Sequence, residues 1–314
     1  MQEHSRHKSL ELRLNSSHKN VKKAFSNRND YSFEHEFFYE ILTNIVATTE
    51  ASIHIAEKKL ITEEIHEMYK SSCRSGQTAN YLKYASLLVC IHDYEQAVEV
   101  LKYIESRITR DMVHLSMISD TKPMSFKISN NLTPLEMFKV FVSNIINYVE
   151  FTKHESNCAP SHLIYELHRT AGDDRAGYDG KRMFAVVDAK PFLYYLQNLA
   201  HTDDDGKNAA IEKLKCYCIS APEESPFRGR LETAYNLLGH ILELENKAQE
   251  AWEVYIWSAN LAPQKKAAYW HMCRLISDYV AADKALQKMG KYILPCTDSD
   301  TKWALSTNTT TVMH

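Results

Sequence analysis

The stretch YNLLGHILELENKAQEAWEVYIWSANLAP, residues 235–263, decides the fold of this chain. Its apolar residues recur at three- and four-residue steps, which predicts two amphipathic helices in succession. Gly239 in the first helix and Ala251 in the second are small enough for the two helices to cross closely. Pro263 marks the end of the unit, because proline interrupts a helix. We therefore predict a helix–turn–helix hairpin.

The same spacing occurs elsewhere in the chain. In each unit an aromatic residue is followed sixteen residues later by an alanine, and one unit begins 34 residues after Tyr235. A degenerate unit begins at Tyr194 and keeps the sixteen-residue step to Ala210. Single hairpins cannot bury their apolar faces, so repeated hairpins are expected to stack. The repeat-defining residues are Tyr81, Ala85, Ala97, Tyr235, Leu238, Gly239, Ala251, Tyr255, Pro263, Tyr269 and Ala285.

These spacings resemble the tetratricopeptide-repeat family, most clearly over residues 232–290 and again over 78–105. The resemblance implies an all-α superhelix of stacked hairpins with a concave face that binds a protein or peptide partner. The lysine and asparagine with which some relatives hold a chaperone tail are replaced by Asn236 and His240, which disfavours that ligand. The groove residues that the resemblance implies are Asn236, His240, Glu243, Trp270 and Arg274.

A second resemblance is carried by residues 80–94, 192–199 and 235–239. These stretches are similar to the helical region that follows the catalytic domain in invertebrate cyclic GMP–AMP synthase-like (male-abnormal family) nucleotidyltransferase proteins. The Gly-Ser turn and the paired aspartates of that catalytic domain are missing from this sequence. The resemblance therefore implies the C-terminal helical portion alone, without enzymatic activity.

Composition excludes several classes of protein. The 314 residues include only eight glycines and eight prolines, too few for a Gly-rich phosphate loop or for the many tight turns of an all-β fold. A formal net charge of −3 gives no reason to expect nucleic acid as a partner. No apolar run is long enough to span a membrane, and no secretory signal is recognised. Together with seven cysteines in no framework spacing, these features predict a cytoplasmic protein.

The chain divides into five predicted segments. Residues 1–31 are basic and polar, which fits a flexible linker or, alternatively, a nucleic-acid-binding arm. Helices are predicted over 32–154, including the hairpin 78–105. One of these helices starts at Thr133, and its apolar face is predicted to continue through Ile145, Ile146 and Val149. The remaining segments are a flexible loop over 155–190, repeats over 191–296 and a polar tail over 297–314. Met183–Val187 is the only predicted strand.

No constellation of residues predicts catalysis, a metal ion or another cofactor. The standard nucleotide-binding, zinc-protease and hydrolase motifs are absent. Residues 201–212 partly match a calcium-binding loop, but His201 replaces its first aspartate, so a polar turn is favoured. Cys216 and Cys218 would point to different sides of a helix, and no two histidines are four residues apart in one helical turn. The residues alone do not exclude a Cys–His dyad.

We expect this chain to be a non-catalytic scaffold that binds a partner peptide or helix in the predicted groove. An alternative is an accessory helical part of a cyclic GMP–AMP synthase-like innate-immune protein. In that case the basic residues 1–28 would be the remainder of an interdomain linker.

Overall fold

The computed structural model describes Ser16 and residues 33–74, 76–108, 113–115, 132–143, 145–167, 184–219, 230–263 and 267–293. About 80% of the described residues are helical, which confirms the predicted all-α class. The α-helices are α1 (Phe33–Ala56), α2 (Glu63–Ser72), α3 (Thr78–Cys90), α4 (Tyr94–Arg107), α5 (Pro134–Ser143), α6 (Ile164–Leu167), α7 (Ala189–Ala200), α8 (Asp204–Ile219), α9 (Leu231–Leu244), α10 (Ala248–Leu261) and α11 (Ala267–Ile293). The strands are β1 (Val113–Leu115), β2 (Ile145–Asn147), β3 (Val149–Thr152) and β4 (Phe184–Val187).

The chain forms two compact units, Met1–Met272 and Cys273–His314. Within the first unit consecutive helices pack in pairs: α1 with α2, α3 with α4, α7 with α8, and α9 with α10. Helix α7 also packs against α3, α4 and α9, and its side chains Phe192, Tyr195 and Leu196 are fully buried. The predicted hairpins over 78–105 and 235–263 are therefore present, and α7 lies between them.

Three of the turns between paired helices share one backbone geometry. Lys58, His92 and Asn246 follow α1, α3 and α9 with φ angles of 54°, 64° and 61°, in the left-handed region. After Asn246, the N–H of Lys247 donates to the carbonyl of Leu242 at 2.8 Å, and equivalent bonds of 2.8 and 2.9 Å follow the other two residues. This pattern satisfies the last carbonyls of a helix and reverses the chain.

The unit predicted at Tyr269–Ala285 is wrong as a hairpin. Both residues lie in α11, one continuous helix of 27 residues. Residues 277–284, where the turn would fall, contain no glycine, proline or asparagine, the residues that most often end a helix, and the helix continues through them. Stacking of the remaining hairpins into a superhelix stays a prediction.

Short strands replace part of a predicted helix. Ile145, Ile146 and Val149 were expected on the helix that starts at Thr133, but α5 ends at Ser143 and these residues belong to β2 and β3. β2 pairs in parallel with β1, and β3 pairs antiparallel with β4, which confirms the strand predicted at Met183–Val187. Their β-branched side chains fit a strand better than a helix once a partner strand is present.

The described part of the predicted loop 155–190 has regular structure. Residues 153–167, called here the crossing segment, form two 3₁₀ helices, Lys153–Cys158 and Ser161–Leu163, and then α6. A capping box at Thr152 and Glu155 starts this segment, a local signal for a helix that was not recognised in the sequence. Residues 168–183 and the predicted end segments 1–31, apart from Ser16, and 297–314 lie outside the described residues.

Candidate functional site

Polar residues on one face of α9 form the candidate site. Asn236, His240 and Glu243 are four and three residues apart, so they lie on neighbouring turns of one helix face. The sequence placed all three in an open groove. In the structure Asn236 and His240 are buried, with 4% and 6% of their surface exposed, and Glu243 is half-buried. The predicted groove is therefore not open at the first two positions.

The crossing segment covers this face of α9. Asn236 donates from Nδ2 to Oε1 of the fully buried Glu166 at 2.7 Å. The His240 ring stacks on that of His162, with ring centroids 3.1 Å apart and an angle of 16° between the planes. The chain's own residues thus occupy the place that the sequence assigned to a partner, which is why Asn236 and His240 are buried.

The other predicted groove residues lie in α11. Trp270 is 50% exposed. Arg274 belongs to the second unit and forms an ion pair with Asp278 one turn along, at 3.3 Å. The role of the five predicted residues in partner binding stays a prediction. Trp257 of α10 is 49% exposed and contacts the ring of Tyr235 edge-on.

A close helix crossing positions Glu243. A Cβ atom added to Gly239 would lie 2.5 Å from Cε1 of Tyr255, so only glycine admits this ring. The Tyr255 hydroxyl donates a short hydrogen bond to Oε1 of Glu243. The small residue that the repeat pattern singled out therefore has a second consequence, because it lets α10 place a phenol beside a carboxylate of α9.

His271 is held between aromatic rings in the first turns of α11. The residue is buried, with 1% of its surface exposed. Its ring lies parallel to that of Tyr255, with ring centroids 4.8 Å apart. Tyr165 of the crossing segment meets it nearly edge-on at 4.6 Å. The ring of His162 is parallel to that of His271 at 5.7 Å. These contacts fix the plane of the His271 imidazole.

Three of these side chains bring atoms that can bind a metal ion close together. One nitrogen each of His162 and His271 and one carboxylate oxygen of Glu243 all lie within 4.8 Å of one another. Two imidazoles and a carboxylate are a ligand set typical of zinc and related metal ions. The sequence did not reveal this cluster, since its members come from three distant segments and none forms a recognisable spacing with another.

A tyrosine from α7 completes the surroundings of His240. The Tyr195 hydroxyl shares a hydrogen bond of 2.7 Å with Nδ1 of His240. Burial raises the pKa of Tyr195 above its ordinary value, so this hydroxyl remains protonated at neutral pH. The bond orients the His240 ring, which in turn lies flat against His162.

A different polar pair joins the crossing segment to α3. Lys83 Nζ lies 2.7 Å from Oε1 of Glu155, and both side chains are buried, with 10% and 1% exposed. The second oxygen of Glu155 accepts the backbone N–H of Thr152 at 2.8 Å. Three residues further along α3, Ser86 donates to the carbonyl of Cys158 at 2.6 Å. These bonds hold the first half of the crossing segment.

Comparisons of this chain with protein families, with curated proteins and with solved structures find no match. Among the described residues, none of the helices has both the length and the apolar character that a membrane crossing requires.

Proposed function

We propose that this chain is a non-catalytic interaction module, built from tetratricopeptide-like hairpins, that binds a partner peptide or helix. The observation that carries the proposal is the exposure of Trp270 at the start of α11. Half of its surface is accessible, and the adjacent Tyr269 is 45% exposed. Tryptophan and tyrosine are the residues that most often dominate binding energy at protein interfaces.

Helix α10 adds further exposed apolar side chains. Trp257 and Leu261 are one turn apart on this helix and are 49% and 53% exposed. Exposed large side chains at helical spacing suit a partner that presents an apolar helix face or a peptide with bulky anchors. The proposed surface therefore comprises the exposed residues Trp257, Leu261, Tyr269 and Trp270, instead of the covered positions Asn236 and His240.

Substitution of Trp270 in the full chain tests this proposal. Partners captured by the tagged wild-type chain would be identified, purified and measured for direct binding by calorimetry. We expect Trp270→Ala to weaken that binding at least tenfold, a loss of about 1.4 kcal/mol or more, because an anchor of this size is truncated. Leu60→Ala is the control, since Leu60 is 90% exposed and lies between α1 and α2.

The melting temperature separates binding from folding in this experiment. Because Trp270 is half-exposed, its truncation should leave the melting temperature close to that of the wild type. A large fall in melting temperature would instead assign Trp270 to the core. Equal affinity of the Trp270→Ala and Leu60→Ala variants for every direct partner would exclude this surface as the binding site.

A further inference from the structure

We propose that His162, Glu243 and His271 bind a divalent transition-metal ion of the zinc type. The ion would join the Ser161–Leu163 turn of the crossing segment, the last turn of α9 and the first turns of α11. This inference concerns metal binding and is independent of whether the chain binds a partner protein.

The separations between the ligand atoms suit closure around an ion. Zinc–nitrogen and zinc–oxygen bonds of about 2.0–2.1 Å place tetrahedral ligand atoms about 3.3 Å apart. The three ligand atoms here lie within 4.8 Å of one another. His162 and Glu243 are half-buried, and closure around an ion would require a small rotation of these two side chains. His271 is enclosed by rings and serves as the fixed member of the set.

Neighbouring groups already orient the three ligands. Tyr255 donates to the Glu243 carboxylate and lies parallel to the His271 ring, so one side chain positions two ligands. His240 stacks flat on His162. Metal sites in proteins depend on such outer contacts, because these fix ring planes and carboxylate orientation before the ion arrives.

The donor set selects the class of metal. Calcium and magnesium favour sites made of oxygen atoms, whereas two imidazole nitrogens with one carboxylate suit zinc, cobalt, nickel or copper. Three protein ligands leave one position of a tetrahedral site for water or another small ligand. The six cysteines among the described residues are free thiols, and none belongs to this cluster.

Zinc titration of the full-length chain after removal of bound metal tests the proposal. We expect Zn²⁺ at a concentration about 100-fold above its dissociation constant to raise the melting temperature by about 5 °C, and Ca²⁺ to leave it unchanged. Glu243→Gln keeps an oxygen that can accept from Tyr255, and His162→Gln changes a half-buried residue. Each substitution should weaken Zn²⁺ binding by about 100-fold or more. Tyr255→Phe should weaken it by about 10-fold, through loss of the bond that orients Glu243.

Matched substitutions outside the cluster serve as controls. Glu245→Gln removes a carboxylate two residues beyond Glu243, and His92→Gln removes an imidazole from the turn after α3. Both variants should bind Zn²⁺ as the wild type does. Equal Zn²⁺ affinity in Glu243→Gln and Glu245→Gln, or wild-type affinity in His162→Gln, would overturn the proposal. A thiolate charge-transfer band in the spectrum of the Co²⁺-loaded protein would also overturn it, because it would show cysteine ligation.

Discussion

The hairpins α3–α4 and α9–α10 have the same backbone plan but bury different polar groups. Both turn through a left-handed residue, His92 or Asn246, and both pack against α7, the first hairpin through both of its helices and the second through α9. The first hairpin neutralises the buried carboxylate of Glu155 with Lys83. The second places the Glu243 carboxylate beside a phenol and two imidazoles. The first hairpin thus supplies the cation of a buried ion pair with the crossing segment, and the second supplies the one carboxylate of the His162–Glu243–His271 cluster.

The difference can be traced to one pair of repeat positions. Where the first hairpin has Ala85 and Leu101, the second has Gly239 and Tyr255. Loss of a methyl group on one helix makes room for a larger ring on the other, because packed interiors conserve volume more strictly than residue type. The ring brings a hydroxyl group to Glu243, which leucine could not do. This exchange of side-chain volume therefore places a hydroxyl group beside a carboxylate in the second hairpin, where the first hairpin has a leucine.

Among the substitutions that test this comparison, removal of the Lys83 side chain should lower the free energy of unfolding most. Lys83→Ala leaves Glu155 buried without its cation, and we expect the free energy of unfolding to fall by about 3–5 kcal/mol. Chemical denaturation of the variant and the wild type gives this value. The control is Lys213→Ala, which breaks a pair with Glu105 whose side chains are 43% and 35% exposed, and which should lower stability by less than about 1 kcal/mol. Equal losses in the two variants would show that the Lys83–Glu155 pair behaves as a surface pair.

Exchange of the packing pair should have an intermediate effect. Gly239→Ala places a methyl group against the Tyr255 ring, and we expect a loss of about 1–3 kcal/mol from overpacking. In a Tyr255→Leu background the obstruction is gone, and alanine should be neutral or stabilise the helix by up to about 1 kcal/mol. A double-mutant cycle by chemical denaturation measures the coupling. An identical cost of Gly239→Ala in both backgrounds would contradict the volume exchange.

Asp188 should show the smallest effect, one that depends on pH. It precedes α7, and its Oδ2 accepts hydrogen bonds from the Tyr217 hydroxyl at 2.7 Å and from the backbone N–H of Arg230 at 3.3 Å. Burial raises the pKa of Asp188 to about 6 from its ordinary value of 3.8. The folded state therefore holds this proton more tightly, and the carboxylate lowers stability as pH rises from about 4 through 6. Here a buried carboxylate has mainly neutral donors, in contrast to Glu155.

The Asp188→Asn variant isolates this contribution. Between pH 5 and pH 7 the free energy of unfolding of the wild type should fall by about 1 kcal/mol relative to that of the variant. Denaturation curves of both proteins at the two pH values give the difference, so that other titrating groups cancel. A difference between the two proteins that is independent of pH would exclude the raised pKa of Asp188.

The hairpins were predictable because their signals are local. Tyr235, Gly239 and Ala251 fall within one supersecondary unit, and the apolar period and the small crossing residues can be read from a short window. The unit predicted at Tyr269 and Ala285 is wrong because these positions match the repeat although no glycine, proline or asparagine lies between them to end the helix. Asn246 adopts the left-handed conformation after α9, whereas residues 277–284 include no glycine or asparagine and remain helical.

Strands β1, β2 and β3 and the His–Glu cluster could not be predicted, because their partners are distant in sequence. Ile145 pairs with Val113, and Val149 pairs with Val187, so a window around residues 145–152 shows apolar residues without their partner strands. His162, Glu243 and His271 likewise meet only after the crossing segment has packed on α9. Tertiary packing determines both features, and the periodicity of one segment carries no information about its distant partners.

The bond between Glu166 and Asn236 has a consequence for any ligand of α9. Glu166 belongs to the same polypeptide as the surface that it covers, so it acts as a tethered competitor with an effective concentration in the millimolar range or above. A free peptide that recognises Asn236 and His240 would have to exceed this internal occupant in affinity before it gained access. The crossing segment therefore sets a minimum affinity for any ligand of the Asn236–His240 face of α9. The exposed ring of Trp270, in contrast, can be approached without displacing the crossing segment.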